Sequence, residues 1–196
     1  YVAMFPPVPE SVIDAGYEDF AKRWNPILDV FDAEGVRFAH EVHPSEIAYD
    51  YYTTVKTLEA IDHRPAFGLN WDPSHMMWQN LDPVAFILDF ADRIYHVDCK
   101  DTRMRLGNGR RGVMGSHLPW SHMQRGWDFV STGHGDVPWE DSFRALEFIG
   151  YKGPISVEWE DAGMDRLRGA AEAVGFVRNL LWEKPAGAFD AAFSKE

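Results

Sequence analysis

The chain of 196 residues contains a single cysteine, Cys99. No internal disulfide can form, and a lone thiol fits a reducing compartment, so a cytoplasmic location is expected. No apolar run reaches the roughly 18 to 20 residues of a spanning helix, and no membrane partner is expected. Tyr1–Glu10 lacks the basic and apolar regions of a signal peptide. It is proline-rich and does not begin with methionine, which predicts an opening inside a loop. Basic residues are scarce, with Lys+Arg 19 against Asp+Glu 31, a net charge of -12 and no Lys/Arg block. Such a surface repels a phosphate backbone, so nucleic acid is excluded as a partner. Low-complexity segments and close repeats are also missing.

What is present is material for a core. Hydrophobic residues make up 45% of the chain and aromatics 14%, enough for one globular domain over residues 1–196. Apolar residues at helical spacing (Phe20, Trp24, Ile27, Leu28, Phe31) predict a helix over Tyr17–Ala33, ended by Gly35. A strand over Val36–Val42 follows, then a helix over Ser45–Ile61 and a strand over Ala66–Trp71 that stops at Asp72-Pro73. The next pair is a helix over Pro83–Asp89 and a strand over Arg93–Cys99. Strand starts at 36, 66 and 93 lie 30 and 27 residues apart, the size of a βαβ unit, which predicts parallel strands with crossover helices.

Residues 101–135 break this rhythm and read as a long loop, a lid or a subunit contact. Beyond it the pattern predicts a helix over Trp139–Ile149, a strand over Ile155–Trp159, a helix over Met164–Leu181 and a tail over 183–196. Four βα units are half of a barrel that normally needs about 250 residues. Either four more strands precede Tyr1 or the sheet is open.

In parallel βα proteins the reactive groups collect where strands end, because that rim varies without damage to the core. All four strand ends carry acids: His40-Glu41-Val42-His43, Asp72-Pro73-Ser74-His75, His96-Val97-Asp98-Cys99-Lys100-Asp101 and Glu158-Trp159-Glu160-Asp161. Any one acid, Asp72 above all, would serve as a helix cap. Four at successive strand ends, three with a histidine nearby, call for a compensating cation. Oxygen ligands suit one divalent metal, Mg²⁺ or Mn²⁺, while imidazole leaves room for Co²⁺ or Zn²⁺.

The runs Gly68-Leu-Asn-Trp-Asp72-Pro-Ser-His75, Ile94-Tyr-His96-Val-Asp98-Cys-Lys100-Asp101 and Ser156-Val-Glu158 resemble the sugar phosphate isomerase/epimerase group of xylose-isomerase-like barrels. The resemblance runs from Val36 to Leu181. It implies an α/β fold, a (β/α)8 TIM barrel of which this chain supplies the last four βα units, with 101–135 following the seventh strand. It also implies one metal held by Glu41, Asp72, Asp98 and Glu158. Relatives often carry His-x-His-x-Lys-Asp with the second histidine as ligand, where this chain has Asp98; His96 is the reserve ligand.

The implied chemistry is proton abstraction next to a carbonyl through an enediolate, giving a sugar isomerase or epimerase of carbohydrate metabolism. Glu158 and Glu41 are the proton-moving candidates, and His43 is a separate base. His75, Lys100, Arg103 and His134 are candidates for substrate binding. Arg103, Arg105, Arg110 and Arg111 can meet a phosphate or an aglycone, or form a solvated basic loop. Trp120, Trp127 and Trp139 can stack on a sugar or simply pack. The expected partner is a small sugar or keto-sugar, in a homo- or hetero-oligomer. A lyase using the same enolate for β-elimination is the alternative, by cleavage of a 3-keto-glycoside or dehydration of a keto-polyol. A metal-dependent endonuclease-like hydrolase fits less well because of the acidic charge, and a non-catalytic barrel would need to have lost an acid.

Overall fold

The computed structural model describes residues 7–105, 110–114, 117–182 and 187. Four strands, β1 (Phe38–Glu41), β2 (Phe67–Trp71), β3 (Ile94–Asp98) and β6 (Ile155–Ser156), pair in parallel in the order β1-β2-β3-β6. Helices α2 (Tyr51–Ala60), α4 (Pro83–Asp89), α5 (Trp139–Phe148) and α6 (Arg166–Leu180) alternate with them, and α1 (Glu10–Glu34) precedes them. Parallel strands with helical crossovers are consecutive βα units of a barrel wall. Among the described residues no helix is long and apolar enough to cross a membrane.

The boundaries follow local chemistry. Helix α1 ends at Gly35, whose φ of 65° is left-handed and open to glycine at little cost. Its start at Glu10, just after Pro9, is earlier than the apolar spacing predicts. Helix α2 begins at Tyr51 instead of Ser45, because Asp50 accepts from Thr53 N while Thr53 Oγ1 accepts from Asp50 N. That capping box fixes the start, and the preceding residues turn through Ser45 at φ 77°. A short helix α3 (Pro73–Trp78), capped by Asp72, follows β2 directly. The expected loop over 101–135 contains an antiparallel pair, β4 (Asp101–Arg103) with β5 (Asp128–Val130). The last expected strand narrows to Ile155–Ser156, and the expected tail lies almost wholly outside the described residues.

One face of the sheet carries the core. Phe67, Leu69, Trp71, Val97 and Ile87 are fully buried there, and Phe20, Trp24, Phe38 and Phe67 pack ring against ring beneath α1. The other face is polar. Strand alternation brings Glu41, Asn70, Asp72, His96, Asp98, Lys100, Ser156 and Glu158 to it. The register slips between Leu69 and Asn70, and the extra Tyr95 lays its ring over Gly68. A Cβ at Gly68 would come within 2.1 Å of that ring, so only glycine admits it.

Candidate metal centre and active-site cleft

The polar face is layered. In the deeper layer Asn70 donates to Asp98 Oδ2 at 2.6 Å and meets His96 Nδ1 through Oδ1 at 2.8 Å. Ser156 donates to Asp98 Oδ1 and lies 2.9 Å from His96 Nε2. The four side chains close on one another.

The upper layer is the rim. Glu41, Asp72 and Glu158 each offer a carboxylate oxygen within 4.8 Å of the others. Asp72 is completely buried; its Oδ1 accepts from Ser74 N at 2.8 Å, while Oδ2 has no hydrogen-bond partner among the described residues. Burial raises the Asp72 carboxyl well above the usual range, against the pull of Lys100. Burial also raises Glu41, with the Glu158 charge adding to it. Both groups disfavour a second negative charge where they stand.

One resident cation answers them. Lys100 Nζ donates to Glu158 Oε1 at 2.7 Å and lies 3.4 Å from Glu160 Oε2. Burial lowers its affinity for a proton, but Glu158, Asp72 and Glu160 more than restore it, and the ammonium is stabilised. Four carboxyl groups, those of Glu41, Asp72, Glu158 and Glu160, against one ammonium leave an excess of acidic groups.

A divalent ion fits that excess. Asp72 Oδ2 lies 3.5 Å from His75 Nε2, and Glu41 Oε1 lies 3.7 Å from the same nitrogen. These gaps are too long for hydrogen bonds. The oxygens of Glu41, Asp72 and Glu158, all within 4.8 Å of one another, are close enough to share one cation. Among the described residues, neither ring nitrogen of His75 has a hydrogen-bond partner. Burial, aided by His43 and Lys100, lowers its pKa to about 2, so the imidazole is neutral.

The structure separates the sequence candidates. It brings Glu41, Asp72 and Glu158 together, with Lys100, His75 and His43 beside them; the rings of His43 and His75 stand 4.1 Å apart, and Glu41, His43 and His75 form a second close group. It does not bring Asp98 into the rim group, because Asn70 and Ser156 hold that carboxylate one layer down, and His96 is held there too. Arg103 and His134 stand apart from the cleft. Arg103 donates to the His134 carbonyl, and His134 Nε2 pairs with Glu172 Oε1 at 2.7 Å on α6. Lys100 pairs with Glu158 and not with its neighbour Asp101. Asp101 instead accepts from the backbone N–H of Thr102, Gly133, Gly135 and Val137 and from Trp139 Nε1, tying the long loop to the strand end. Trp127 and Trp139 are buried packing residues, whereas Trp120 faces the cleft.

Reading strand ends alone missed Asn70, Ser156 and Phe129, and it included Glu160 among the strand-end acids without giving it a role. Asn70 and Ser156 each lie two residues before a rim acid, a signal that alternation carries. Phe129 comes from β5 and had no such signal. The cleft above the rim holds about 500 Å³ and is lined by His43, His75, Lys100, Trp120, Phe129 and Glu160, among others.

The xylose isomerase-like TIM barrel model matches residues 1–180. The chain belongs to that family. Among relatives, the uncharacterized protein YfiH of Bacillus subtilis (strain 168) is 30% identical over 186 residues, covering 92% of this chain and 59% of that protein. An inosose dehydratase of Clostridium botulinum (strain Alaska E43 / Type E3) is 25% identical over 157 residues, covering 76% of this chain and 51% of the relative. The D-allulose 3-epimerase of Methylomonas sp. superposes with a TM-score of 0.59 at 20% identity, over 82% of this chain and 54% of that one, a likeness of fold. The chain thus spans between half and three-fifths of the length of these family members.

Proposed function

We propose that the chain carries the metal rim of a divalent-metal-dependent sugar isomerase or epimerase that moves a proton on the carbon next to a carbonyl. The observation behind this reading is the convergence of Glu41, Asp72 and Glu158 around a buried Asp72 oxygen that has no hydrogen-bond partner among the described residues. These three side chains are the proposed ligands, and Mn²⁺ or Mg²⁺ suits an oxygen set. When bound, the ion offsets negative charge developing on the sugar oxygens. The family fold is shared with a named D-allulose 3-epimerase, while the relative named an inosose dehydratase fits elimination, the second reading.

The chain's own groups then divide the work. Glu158, partly exposed and oriented by Lys100, takes the proton from carbon. Glu41, the other rim glutamate, returns a proton to the opposite face. His75, neutral and at the cleft wall, holds a sugar hydroxyl. Lys100 lies on the same wall and steadies the oxygen that gains charge.

The test is Glu158→Gln. An amide oxygen still ligates weakly but takes no proton, so turnover should fall about 10² to 10⁴-fold while most bound metal remains. Equal loss of metal and turnover would reduce Glu158 to a ligand. A lyase is the second reading, favoured by His43, a base distinct from the carboxylates, 4.1 Å from His75 in the same cleft. If His43→Asn abolishes turnover with metal intact, and the product has lost water or an aglycone, elimination is the reaction.

A further inference from the structure

The cleft extends beyond what one sugar needs. Its volume of about 500 Å³ falls within the roughly 300 to 1,000 Å³ of sites for drug-sized ligands. A line of rings leads outward from the rim: His75 stands 5.3 Å from Phe129, and Phe129 stands 5.4 Å from Trp120. Trp120 lies one ring past the position where the reacting sugar would touch Phe129.

Trp120 is exposed but fixed. Half of its surface is open, yet the Arg125 guanidinium sits 4.0 Å from its ring centre and Trp127 meets its edge at 5.6 Å. Arg125 is itself buried and donates to the carbonyls of Leu118 and Trp127. The next residue, Ser121, donates its backbone N–H to the buried Asp128 carboxylate at 2.7 Å. A tryptophan that served only packing would be covered. Here a braced loop presents apolar surface to the cleft, with ordering already complete, which lowers the cost of binding a ring.

Charge sets the chemistry of that ring. Glu160, Asp161 and Asp128 line the same space. Among the described lining residues the one Lys or Arg is Lys100, held by Glu158 and Glu160. Arg105 lies 3.7 Å from Asp128, and none of Arg103, Arg105, Arg110 and Arg111 lines the cleft. A phosphate would meet repulsion, while sugar hydroxyls would meet acceptors along one edge and an apolar wall along the other.

We infer that the cleft past Phe129 is a subsite for the second ring of an uncharged glycoside, seated on Trp120, and that the substrate is a two-ring sugar and not a sugar phosphate. The inference rests on the proposed reacting position at the rim.

The test measures affinity by calorimetry on the purified, manganese-loaded protein with glucose, glucose 6-phosphate, cellobiose and phenyl β-glucoside. Contact of one ring with a fixed aromatic should favour a two-ring probe over glucose by about ten-fold, with no gain for the phosphate. Trp120→Ala should erase that preference, and Trp120→Phe should restore most of it. Circular dichroism checks that each variant folds. The inference is overturned if no two-ring probe binds better than glucose, if glucose 6-phosphate binds best, or if folded Trp120→Ala keeps the preference. Manganese content and turnover of Glu158→Gln, measured alongside, report on the rim alone. Their failure with an intact two-ring preference removes the rim reading and leaves the ring site standing.

Discussion

Asn70 donates its side-chain amide to Asp98 Oδ2 across 2.6 Å, one layer below the carboxylates of Glu41, Asp72 and Glu158. Asp98 is thereby a support for the strand ends and not a member of the rim group. Asp98→Asn should therefore keep its metal, read by elemental analysis of purified protein. Asp72→Asn and Glu41→Gln should each cut metal content several-fold. Loss of metal in Asp98→Asn equal to that in Asp72→Asn would make Asp98 a ligand.

Asp101 gathers five hydrogen-bond donors from the long loop and the start of α5 while fully buried. Asp101→Ala would strand several of them. The expected cost is about 3 kcal/mol, or roughly 6 to 12 °C in Tm. A thermal melt within about 2 °C of wild type would show that water replaces the carboxylate without loss.

His40 and His75 are both held neutral by burial, and His75 falls to about 2 from an ordinary 6.5. Unfolding frees them to take protons. At these two sites the unfolded chain binds more protons below pH 6.5 than the folded one, so the stability they contribute above that pH is lost as the pH falls, while the raised carboxyls of Glu41, Asp72, Asp101 and Asp128 act in the opposite sense. Each fully differential proton contributes a slope of about 1.4 kcal/mol per pH unit. Urea melts of chelated protein should show the wild-type midpoint falling relative to that of His75→Gln as the pH goes from 6.5 to 5. A difference between the two proteins that stays constant over that range would contradict the burial of the His75 ring.

Much of this was legible in the sequence because periodicity and strand-end chemistry are local. The helix over Pro83–Asp89 and the strand spacing came directly from apolar pattern, and the rim acids Glu41, Asp72 and Glu158 from their place at strand ends. Positions set by distant contacts were not legible. Asp98 departs from the rim because Asn70 and Ser156, 28 and 58 residues away, claim it. His134 turns to Glu172, and Phe129 enters the cleft through an antiparallel pairing that no local pattern announces.

The step proposed for Glu158 is metal-supported removal of a proton from carbon. The most direct measurement is solvent deuterium entering the carbon next to the carbonyl, read by mass spectrometry and NMR on recovered substrate and product in D₂O. The expected result is label in the manganese-loaded protein, none after chelation, and about 10² to 10⁴-fold slower incorporation in Glu158→Gln. Full turnover with no label would contradict it, because the hydrogen would then pass between carbons without reaching any side chain.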